Sequence, residues 1–337
     1  MKIKILYLGN KLAKHGYNKT TIETLGPALE QEDYVVYYSS DKKMFFFRLM
    51  DMVKAVFLYR NKVDYVLIDT YSTKAFWYAL FSSQVARLLK LKYIPILHGG
   101  NLPQRLKNNP YLSRLIFQNA YKNVAPSAYL QNAFEAFGYS NIVPIANAIS
   151  IKEYAFLERI SFEPKLLWVR AFAAIYNPKM AVDVLLSLKQ KYPNASLTMV
   201  GPEKDGSLQT TKEYAQSKGV TINFTGQLPK EAWLKLATEH NIFINTTHFD
   251  NAPVSVMEAM ALGVPVVSTN VGGIPYLIQD ELDGFLVGDN QATEMVDKII
   301  KLITNPTANR VMVKKARKKM ELLDWKIIKH QWRNLLK

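Results

Sequence analysis

Residues 242–278 have the sequence IFINTTHFDNAPVSVMEAMALGVPVVSTNVGGIPYLI, and this stretch decides the fold of the second half of the chain. The short apolar run at 242–245 ends in polar residues, which predicts a buried strand. A helix is predicted over about 254–262, because Gly263 is a typical residue to follow a helix end. A second strand is predicted at 265–268. Strand, helix and strand in this order are typical of a βαβ unit in a parallel sheet.

The same alternation of short apolar and longer amphipathic runs extends in both directions from this stretch. The predicted strands are 3–8, 34–38, 65–68, 93–97, 123–125 and 142–145, then 166–169, 196–200, 221–224, 242–245, 265–268 and 285–287. Helical stretches such as 20–31 and 72–89 separate them. The sequence therefore predicts an α/β protein with two doubly wound halves. The predicted parts are a domain at 1–150, a linker at 151–165, a domain at 166–310, and basic C-terminal helices at 311–337 that pack back toward the first domain.

Composition limits the class of protein further. A length of 337 residues favours two cores over one, and a formal charge of +15 favours anionic partners: nucleotide phosphates, an acidic membrane surface or nucleic acid. No apolar run approaches the roughly 18 residues needed to cross a bilayer. The apolar run near the start of the sequence is too short for that of a signal peptide, so we expect a cytoplasmic protein. The absence of cysteine excludes disulfides, thiolate catalysis and cysteine-ligated metals.

In open α/β sheets, ligands bind beyond the carboxyl ends of the strands. Glu258 lies early in the predicted helix 254–262, so its side chain is directed back toward the preceding loop. A carboxylate there can bind the two adjacent hydroxyls of a ribose. Asp250, in that loop, offers an acceptor to a sugar ring, with help from the backbone amides of Asn251 and Ala252.

A sugar nucleotide loses its diphosphate when the glycosidic bond breaks. This leaving group needs a nearby positive charge, whose stabilising effect grows as the bond breaks. Arg170, at the end of the predicted strand 166–169, is the candidate for this role. Free backbone N–H groups at Gly272 and Gly273 are further candidates to bind an anion. Other strand–helix loops contain further candidates to bind the sugar nucleotide, which is the sugar donor: Gly9, Gly16 and Gly201.

The segment around Asp250 and Glu258 resembles the Glu-x7-Glu signature of retaining glycosyltransferase family 4, the group 1 glycosyltransferases. WVRAF is similar to the family's Gly-Arg turn, and FTGQLPKEAWLKLATEHNIFINTT looks like the run leading into its nucleotide site. VAPSAYL and IVPIANAIS resemble the end of its N-terminal domain, and DWKIIKHQW resembles its closing helix. The resemblance covers most of the chain, is specific over 166–287 and is weaker before Tyr93.

This resemblance implies the GT-B fold, in which two doubly wound Rossmann-like domains face a central cleft. It implies transfer of a sugar from a nucleoside diphosphate sugar to a glycan or lipid-linked acceptor hydroxyl, with retention of configuration and without a metal or other cofactor. Asp250, Arg170 and His98 are the implied catalytic residues, with His98 contacting the donor sugar or the acceptor. By family analogy, the pathway is bacterial surface polysaccharide or glycolipid assembly.

Several positions depart from the family pattern. Asp250 stands where Glu is usual, Tyr276 where Glu is common, and Ala148 where Gly is common. The Lys-Gly expected after Arg170 is replaced by Tyr-Asn-Pro at 176–178. Lys179 is therefore the candidate to take over the second phosphate contact.

Structural alternatives stand beside these roles. Glu258 and Lys179 are alternatively solvated helix residues, Asp250 a capping residue, Arg170 a salt-bridge partner, Gly272-Gly273 a simple turn, and His98 an ordinary loop histidine. His240 and His248 have no clear third ligand, so a metal site is rejected.

Two other functions are alternatives: a sugar-nucleotide epimerase or hydrolase on the same fold, and a basic nucleic-acid-binding protein. The Asp250/Glu258 loop favours a transferase, and the absence of a nucleic-acid motif opposes binding to DNA or RNA. A peripheral contact with the inner face of the cell membrane is predicted from Phe45, Phe46 and Phe47, which lie among cationic residues. The cationic residues are Lys42, Lys43, Arg48 and Lys54. The alternative is an ordinary solvated helix face.

Overall fold

The computed structural model describes residues 2–17 and 19–337, and the chain divides into two units. Unit 1 comprises residues 1–147 and 325–337, and unit 2 comprises residues 148–324. The chain passes from unit 1 to unit 2 at 147/148, close to the predicted boundary at 150. It returns to unit 1 at 324/325, within the basic tail predicted to begin at 311.

The sheet of unit 1 contains six parallel strands among the described residues, in the order β2-β1-β3-β4-β5-β6. Its strands are β1 (Lys4–Leu8), β2 (Val35–Ser39), β3 (Tyr65–Thr70), β4 (Lys92–Leu97), β5 (Asn123–Ala125) and β6 (Ile142–Pro144). Every residue of β3 is buried, as expected for a central parallel strand covered by helices on both faces. The helices that follow these strands are α1 (Thr21–Glu30), α2 (Phe45–Tyr59), α3 (Phe76–Leu88), α4 (Leu102–Asn108), α5 (Pro110–Phe117) and α6 (Ala128–Ala136).

Unit 2 repeats this plan with six parallel strands among its residues, in the order β12-β11-β10-β7-β8-β9. They are β7 (Lys165–Val169), β8 (Ser196–Val200), β9 (Asn223–Gly226), β10 (Ile242–Asn245), β11 (Val266–Thr269) and β12 (Phe285–Val287). The helices are α7 (Pro178–Lys191), α8 (Ser207–Ser217), α9 (Lys230–Thr238), α10 (Val254–Leu262), α11 (Ile274–Leu277), α12 (Ala292–Thr304) and α13 (Pro306–Glu321). The predicted doubly wound α/β fold is confirmed in both halves.

The last helix, α14 (Trp325–Leu335), belongs to unit 1. Its apolar side is buried through Ile328, Trp332 and Leu335. On its polar side, Lys329 and Arg333 both pair with the carboxylate of Glu32, and the Lys329 distance is 3.0 Å. The helix therefore completes unit 1 after the chain has formed all of unit 2.

Helices α2 and α3 expose large apolar side chains. We call these residues the α2/α3 apolar face: Phe46, Phe47, Met50, Phe57 and Leu58 on α2, with Trp77 and Phe81 on α3. Phe46, Met50 and Phe57 have helical spacing and therefore share one side of α2. Phe46 is 62% exposed, which is unusual for a phenylalanine.

The predicted position of Arg48 on that cationic surface is wrong. Arg48 is buried, and its guanidinium donates to the carbonyl oxygens of Lys42 (2.7 Å) and Lys43 (2.7 Å) and to Asn10 Oδ1 (2.8 Å). Because these bonds fix the start of α2 to the β1–α1 loop, Arg48 has a structural role. Lys42, Lys43 and Lys54 are exposed. No helix among the described residues has both the length and the apolar character to cross a bilayer.

Candidate active site

The loop between β10 and α10, residues 246–253, contains Asp250 of the predicted acidic pair and leads into the helix that contains Glu258. Thr246 anchors its start: Trp168 Nε1 donates to Thr246 Oγ1 at 3.0 Å, and that hydroxyl donates to the Tyr176 carbonyl oxygen at 2.9 Å. These bonds satisfy polar groups that the fold buries. The loop therefore has a defined geometry at the carboxyl ends of β7 and β10, which are neighbours in the sheet.

Glu258 lies in the second turn of α10, as predicted, and is partly buried. The Tyr154 hydroxyl donates to Glu258 Oε1 at 2.7 Å. Burial raises the pKa of Glu258 above its ordinary value, although the bond from Tyr154 and the charge of Lys230 oppose the rise. The carboxylate is thus an acceptor held in one orientation by a neighbouring phenol.

Tyr154 and Lys230 were not predicted from the sequence. Lys230 begins α9, lies 4.7 Å above the centre of the Tyr154 ring and pairs with Glu153 at 2.6 Å. Tyr154 is buried and lies just after the segment 151–153. An aromatic residue in an irregular connector gave no signal of function, because its contact with Glu258 exists only in the folded unit.

Arg170 and Asp250 form an ion pair in which both side chains are largely buried. The Arg170 guanidinium also lies over the Tyr176 ring, 4.8 Å from its centre. The structure therefore brings together the two residues assigned to the diphosphate and the sugar. The salt bridge that was the structural alternative for Arg170 is therefore also present, and its partner, Asp250, is itself a predicted site residue.

Of the backbone amides of Asn251 and Ala252, which were predicted to help Asp250 bind a sugar, that of Asn251 is hydrogen-bonded to Asp250 itself. The Asn251 backbone N–H donates to Asp250 Oδ1 at 2.7 Å, which orients the carboxylate that pairs with Arg170. Ala252 follows in the same loop and is half-buried. Asp250 is therefore set by its own loop on one side and by the guanidinium on the other.

Gly272 and Gly273 pack directly on the Asp250 loop. A Cβ at Gly273 would lie 1.9 Å from the Asn251 carbonyl oxygen, and one at Gly272 would lie 2.2 Å from that of Asp250. The Gly273 N–H already donates to the Asp250 carbonyl oxygen at 2.8 Å. This amide is therefore not a free anion donor as the sequence suggested. The glycine pair allows close backbone approach, which fixes Asp250.

Gly201 and Lys179 both follow Arg170 in the sequence, Lys179 at the start of α7 and Gly201 directly after β8. Gly201 follows β8, and its N–H donates to the Gly226 carbonyl oxygen at 2.9 Å. Lys179, near the start of α7, is exposed and lies 5.6 Å above the centre of the Tyr214 ring. Lys179 therefore contacts Tyr214, and a phosphate contact for Lys179 stays a prediction.

In unit 1, His98 directly follows β4, as predicted, and its Nε2 lies 2.8 Å from Asp69 Oδ1. Gly9 follows β1 and donates its N–H to the Ser39 carbonyl oxygen at 2.8 Å. Gly16 ends the short helical turn at 13–15 with a φ of +84°. Asp69 was missed, although a carboxylate inside the apolar run YVLIDT was a signal that could have marked it.

The two histidines rejected as metal ligands have other partners. His240 Nε2 lies 2.9 Å from Thr198 Oγ1, and His248 Nδ1 lies 2.8 Å from Asp289 Oδ1. Across residues 2–17 and 19–337, no group of three His, Asp or Glu side chains converges in a metal-binding arrangement.

Comparison with known proteins gives a family for the second half of the chain. Residues 153–319 match the family model described as Glycosyl transferases group 1. The matched range contains Arg170, Asp250, Glu258 and the unpredicted Tyr154. The matched range and the candidate site residues of the second half therefore both lie in unit 2.

Two relatives show how far the similarity extends. An uncharacterized glycosyltransferase of Haemophilus influenzae is 25% identical over 341 residues, covering 98% of this chain and 94% of that protein. Sulfoquinovosyl transferase SQD2 of Arabidopsis thaliana is 27% identical over 157 residues, covering 46% of this chain. The match spans only 30% of the length of the plant enzyme.

Among solved structures, Anabaena HepE in complex with UDP-glucose is similar with a TM-score of 0.77. The two chains are 17% identical, and the match covers 99% of each. At this identity the likeness establishes the fold, which is GT-B.

Proposed function

We propose that the chain, whose residues 153–319 match the model of the group 1 glycosyl transferases, transfers a sugar from a nucleoside diphosphate sugar to an acceptor hydroxyl group. The observation that carries this proposal is the position of three charged residues: Arg170 and Asp250 pair beyond the carboxyl ends of β7 and β10, and Glu258 lies near the start of the following helix α10. The solved complex of HepE with UDP-glucose, a protein of the same fold, supports a donor of this class.

Each charged side chain has a distinct task in the proposed reaction. Glu258 accepts the ribose hydroxyls of the donor, and Asp250 accepts a hydroxyl of the transferred sugar. Arg170 turns its charge toward the diphosphate as the glycosidic bond breaks and the leaving oxygens become more negative. Since Arg170 is paired with Asp250, donor binding requires the guanidinium to share its bonds between the carboxylate and the phosphates.

We propose that transfer proceeds with retention of configuration and without a metal ion. The Asp-x7-Glu spacing of Asp250 and Glu258 supports retention by its resemblance to the retaining family, and Arg170 supplies cationic charge for the leaving group. Activity should therefore survive EDTA. Complete loss of activity that magnesium or manganese restores would contradict a metal-independent reaction.

The acceptor we propose is a glycan or lipid-linked hydroxyl met at an anionic membrane surface. The α2/α3 apolar face, with exposed Lys42, Lys43 and Lys54 on and beside α2, supports this occupant. Apolar side chains insert among lipid tails while lysines attract acidic headgroups. A bacterial surface polysaccharide or glycolipid pathway fits such an acceptor.

A donor screen tests the proposed function. The purified chain is incubated with UDP-, GDP- and ADP-sugars, with and without lipid-extract acceptors, and released nucleoside diphosphate is measured. We expect release that depends on acceptor with one donor class. Sugar release without acceptor would indicate a hydrolase, interconversion of the donor sugar an epimerase, and no consumption of any donor would overturn the proposal.

A further inference from the structure

Asp69 is a buried carboxylate in unit 1 that the proposed reaction does not yet use. It lies near the carboxyl end of β3, beside β4, and its side chain is fully buried. Its Oδ1 accepts the Tyr7 hydroxyl at 3.0 Å and lies 2.8 Å from His98 Nε2. Two donors from neighbouring strands thus converge on one oxygen.

The other oxygen of this carboxylate is unsatisfied. Asp69 Oδ2 is buried and has no hydrogen-bond partner among the described residues. A Cβ at Gly9 would lie 2.5 Å from it, so the carboxylate occupies space that a side chain at position 9 would need. A buried carboxylate with one unpaired oxygen does not serve stability, and such groups are characteristic of functional sites.

The same surroundings fix His98. The His98 N–H donates to the Thr70 carbonyl oxygen at 2.9 Å, and the Tyr71 ring centre lies 5.4 Å from the imidazole centre. His98 Nδ1 lies 3.5 Å from the hydroxyl of Thr21, the first residue of α1. The His98 side chain keeps 8% exposure, so one ring nitrogen is engaged by Asp69 and the other is next to a hydroxyl.

Proton placement follows from the chemistry of the acceptor. An ionised carboxylate only accepts, so His98 Nε2 must carry the proton, and Nδ1 of the neutral ring then carries a lone pair. Burial, followed by the charge of Asp69, raises the pKa of Tyr7 well above its usual value, so Tyr7 remains a donor to the same oxygen. Both strand neighbours therefore keep Asp69 an acceptor.

We propose that Asp69 is a positioning residue that holds His98 with its proton on Nε2, so that Nδ1 accepts a hydrogen bond from a substrate hydroxyl. The inference rests on the proposed sugar transfer for the identity of that hydroxyl, whereas the tautomer itself does not depend on any substrate.

The test is a long-range proton–nitrogen correlation spectrum of the full chain labelled with ¹⁵N-histidine, with the His98 signal assigned from His98→Gln. We expect the Nε2–H form in the wild type. Asp69→Leu, which removes both acceptor oxygens, should lower the population of that form, and Asp69→Ala, which also removes both, serves if the leucine variant does not fold. Asp64→Asn is the matched control, because Asp64 Oδ2 accepts the Lys4 N–H at the opposite end of β3.

Kinetics add a second readout. Asp69→Asn should lower kcat by roughly tenfold to hundredfold with the donor KM within about twofold, and Tyr7→Phe should have a smaller effect. An unchanged His98 tautomer in the folded Asp69 variants would overturn the inference. If the wild type transfers no sugar but its tautomer changes as expected, the proposed function fails and the role of Asp69 in positioning His98 stands.

Discussion

Tyr154 and Glu258 are 104 positions apart in the sequence, yet the Tyr154 hydroxyl donates to Glu258 Oε1 at 2.7 Å. This bond sets the orientation of the carboxylate before any donor arrives. A carboxylate that is oriented in advance loses less freedom on binding, so more of its hydrogen-bond energy appears as affinity. The phenol is therefore part of the candidate ribose site although it need not touch the ribose.

Glu258→Gln should weaken donor binding by roughly tenfold to hundredfold, because a charged acceptor bond contributes about 1.5–3 kcal/mol. The pH dependence follows from burial, which raises the pKa of Glu258 above 4.5. As pH falls through that raised pKa, Glu258 gains a proton and loses acceptor capacity, so wild-type affinity should fall at a higher pH than an ordinary glutamate would allow. Titration of donor binding by calorimetry between pH 4 and pH 8 measures this.

The control for Glu258 is Glu213→Gln on α8, an exposed glutamate whose partner is Gln209. It should leave donor affinity and its pH dependence unchanged. Wild-type donor affinity in Glu258→Gln, or the same pH dependence in that variant, would contradict the ribose assignment.

Arg170→Ala should lower kcat by about 10²–10³, since the charge that Arg170 meets grows in the transition state. Initial rates at saturating donor and acceptor measure this change. Lys179→Ala is the comparison, because Lys179 is exposed over Tyr214. A small effect at Lys179 leaves Arg170 as the main phosphate cation, whereas an equal loss would show that both residues hold the diphosphate. An Arg170 effect confined to acceptor KM would refute the assignment.

At this scale, sequence reasoning found the charged residues but not their neighbours. Glu258, Asp250 and Arg170 stand in a recognisable pattern after strands, so their positions followed from strand order. Tyr154 and Asp69 act through contacts with residues that are distant in sequence or on a neighbouring strand. Such contacts depend on side-chain packing in the folded units, which composition and spacing do not encode.

Among the elements, the strands were predictable because short apolar runs bounded by polar loops have few other solutions in a chain of this size. The predicted strand at 221–224 lies at Asn223–Gly226, and the helix predicted over 254–262 has those same bounds. Helix α2 was harder, because a helix that mixes Phe, Met and Lys gives no clear polar side. The prediction therefore placed Arg48 on the surface, whereas the side chain is buried and donates hydrogen bonds to two carbonyl oxygens.

The α2/α3 apolar face makes a prediction that belongs to helix α2. Changing Lys42 and Lys43 to Glu should weaken binding to anionic vesicles at least about tenfold, because each lysine near such a surface contributes on the order of 1 kcal/mol. Phe46→Ser with Phe47→Ser should weaken the binding that remains at high salt, where a Debye length below about 10 Å screens the lysines. Sedimentation with anionic and neutral vesicles measures both effects.

Lys189→Glu with Lys191→Glu, at the end of α7 in unit 2, is the charge-matched control. This pair should change vesicle binding much less. Equal binding of the wild type to neutral and anionic vesicles, or no binding to either, would leave α2 as an ordinary solvated helix.

For the molecule as a whole, the decisive feature is that α14 completes unit 1. Burial pushes the pKa of Glu32 upward, but Lys329 and Arg333 outweigh it and hold the pKa below its ordinary value of 4.5. A carboxyl with a lowered pKa in the fold stabilises it above about pH 4.5, and this contribution is lost as pH falls through the lowered pKa. The attachment of α14 is therefore acid-sensitive.

Glu32→Gln should lower the free energy of unfolding of unit 1 by about 1–3 kcal/mol at pH 7. The difference from the wild type should shrink as pH falls and vanish at a pH below the lowered pKa of Glu32, where both side chains are neutral. Thermal unfolding at the two pH values measures this. Asp33→Asn, which removes an exposed pair with Lys2, is the control and should change the free energy of unfolding much less, because solvent screens that pair. A pH-independent difference would mean that packing, and not the ion pair, is responsible.

The return of α14 to unit 1 also sets an order of events during synthesis. Residues 148–324 leave the ribosome between the two parts of unit 1. At about 5–20 residues per second, the first 147 residues wait roughly 10–35 s for Ile328 and Trp332 to cover their apolar partners. Unit 2 is contiguous and has all of its strands before then. The nascent chain thus carries a complete unit 2 while the surface of unit 1 that α14 covers is still exposed to solvent.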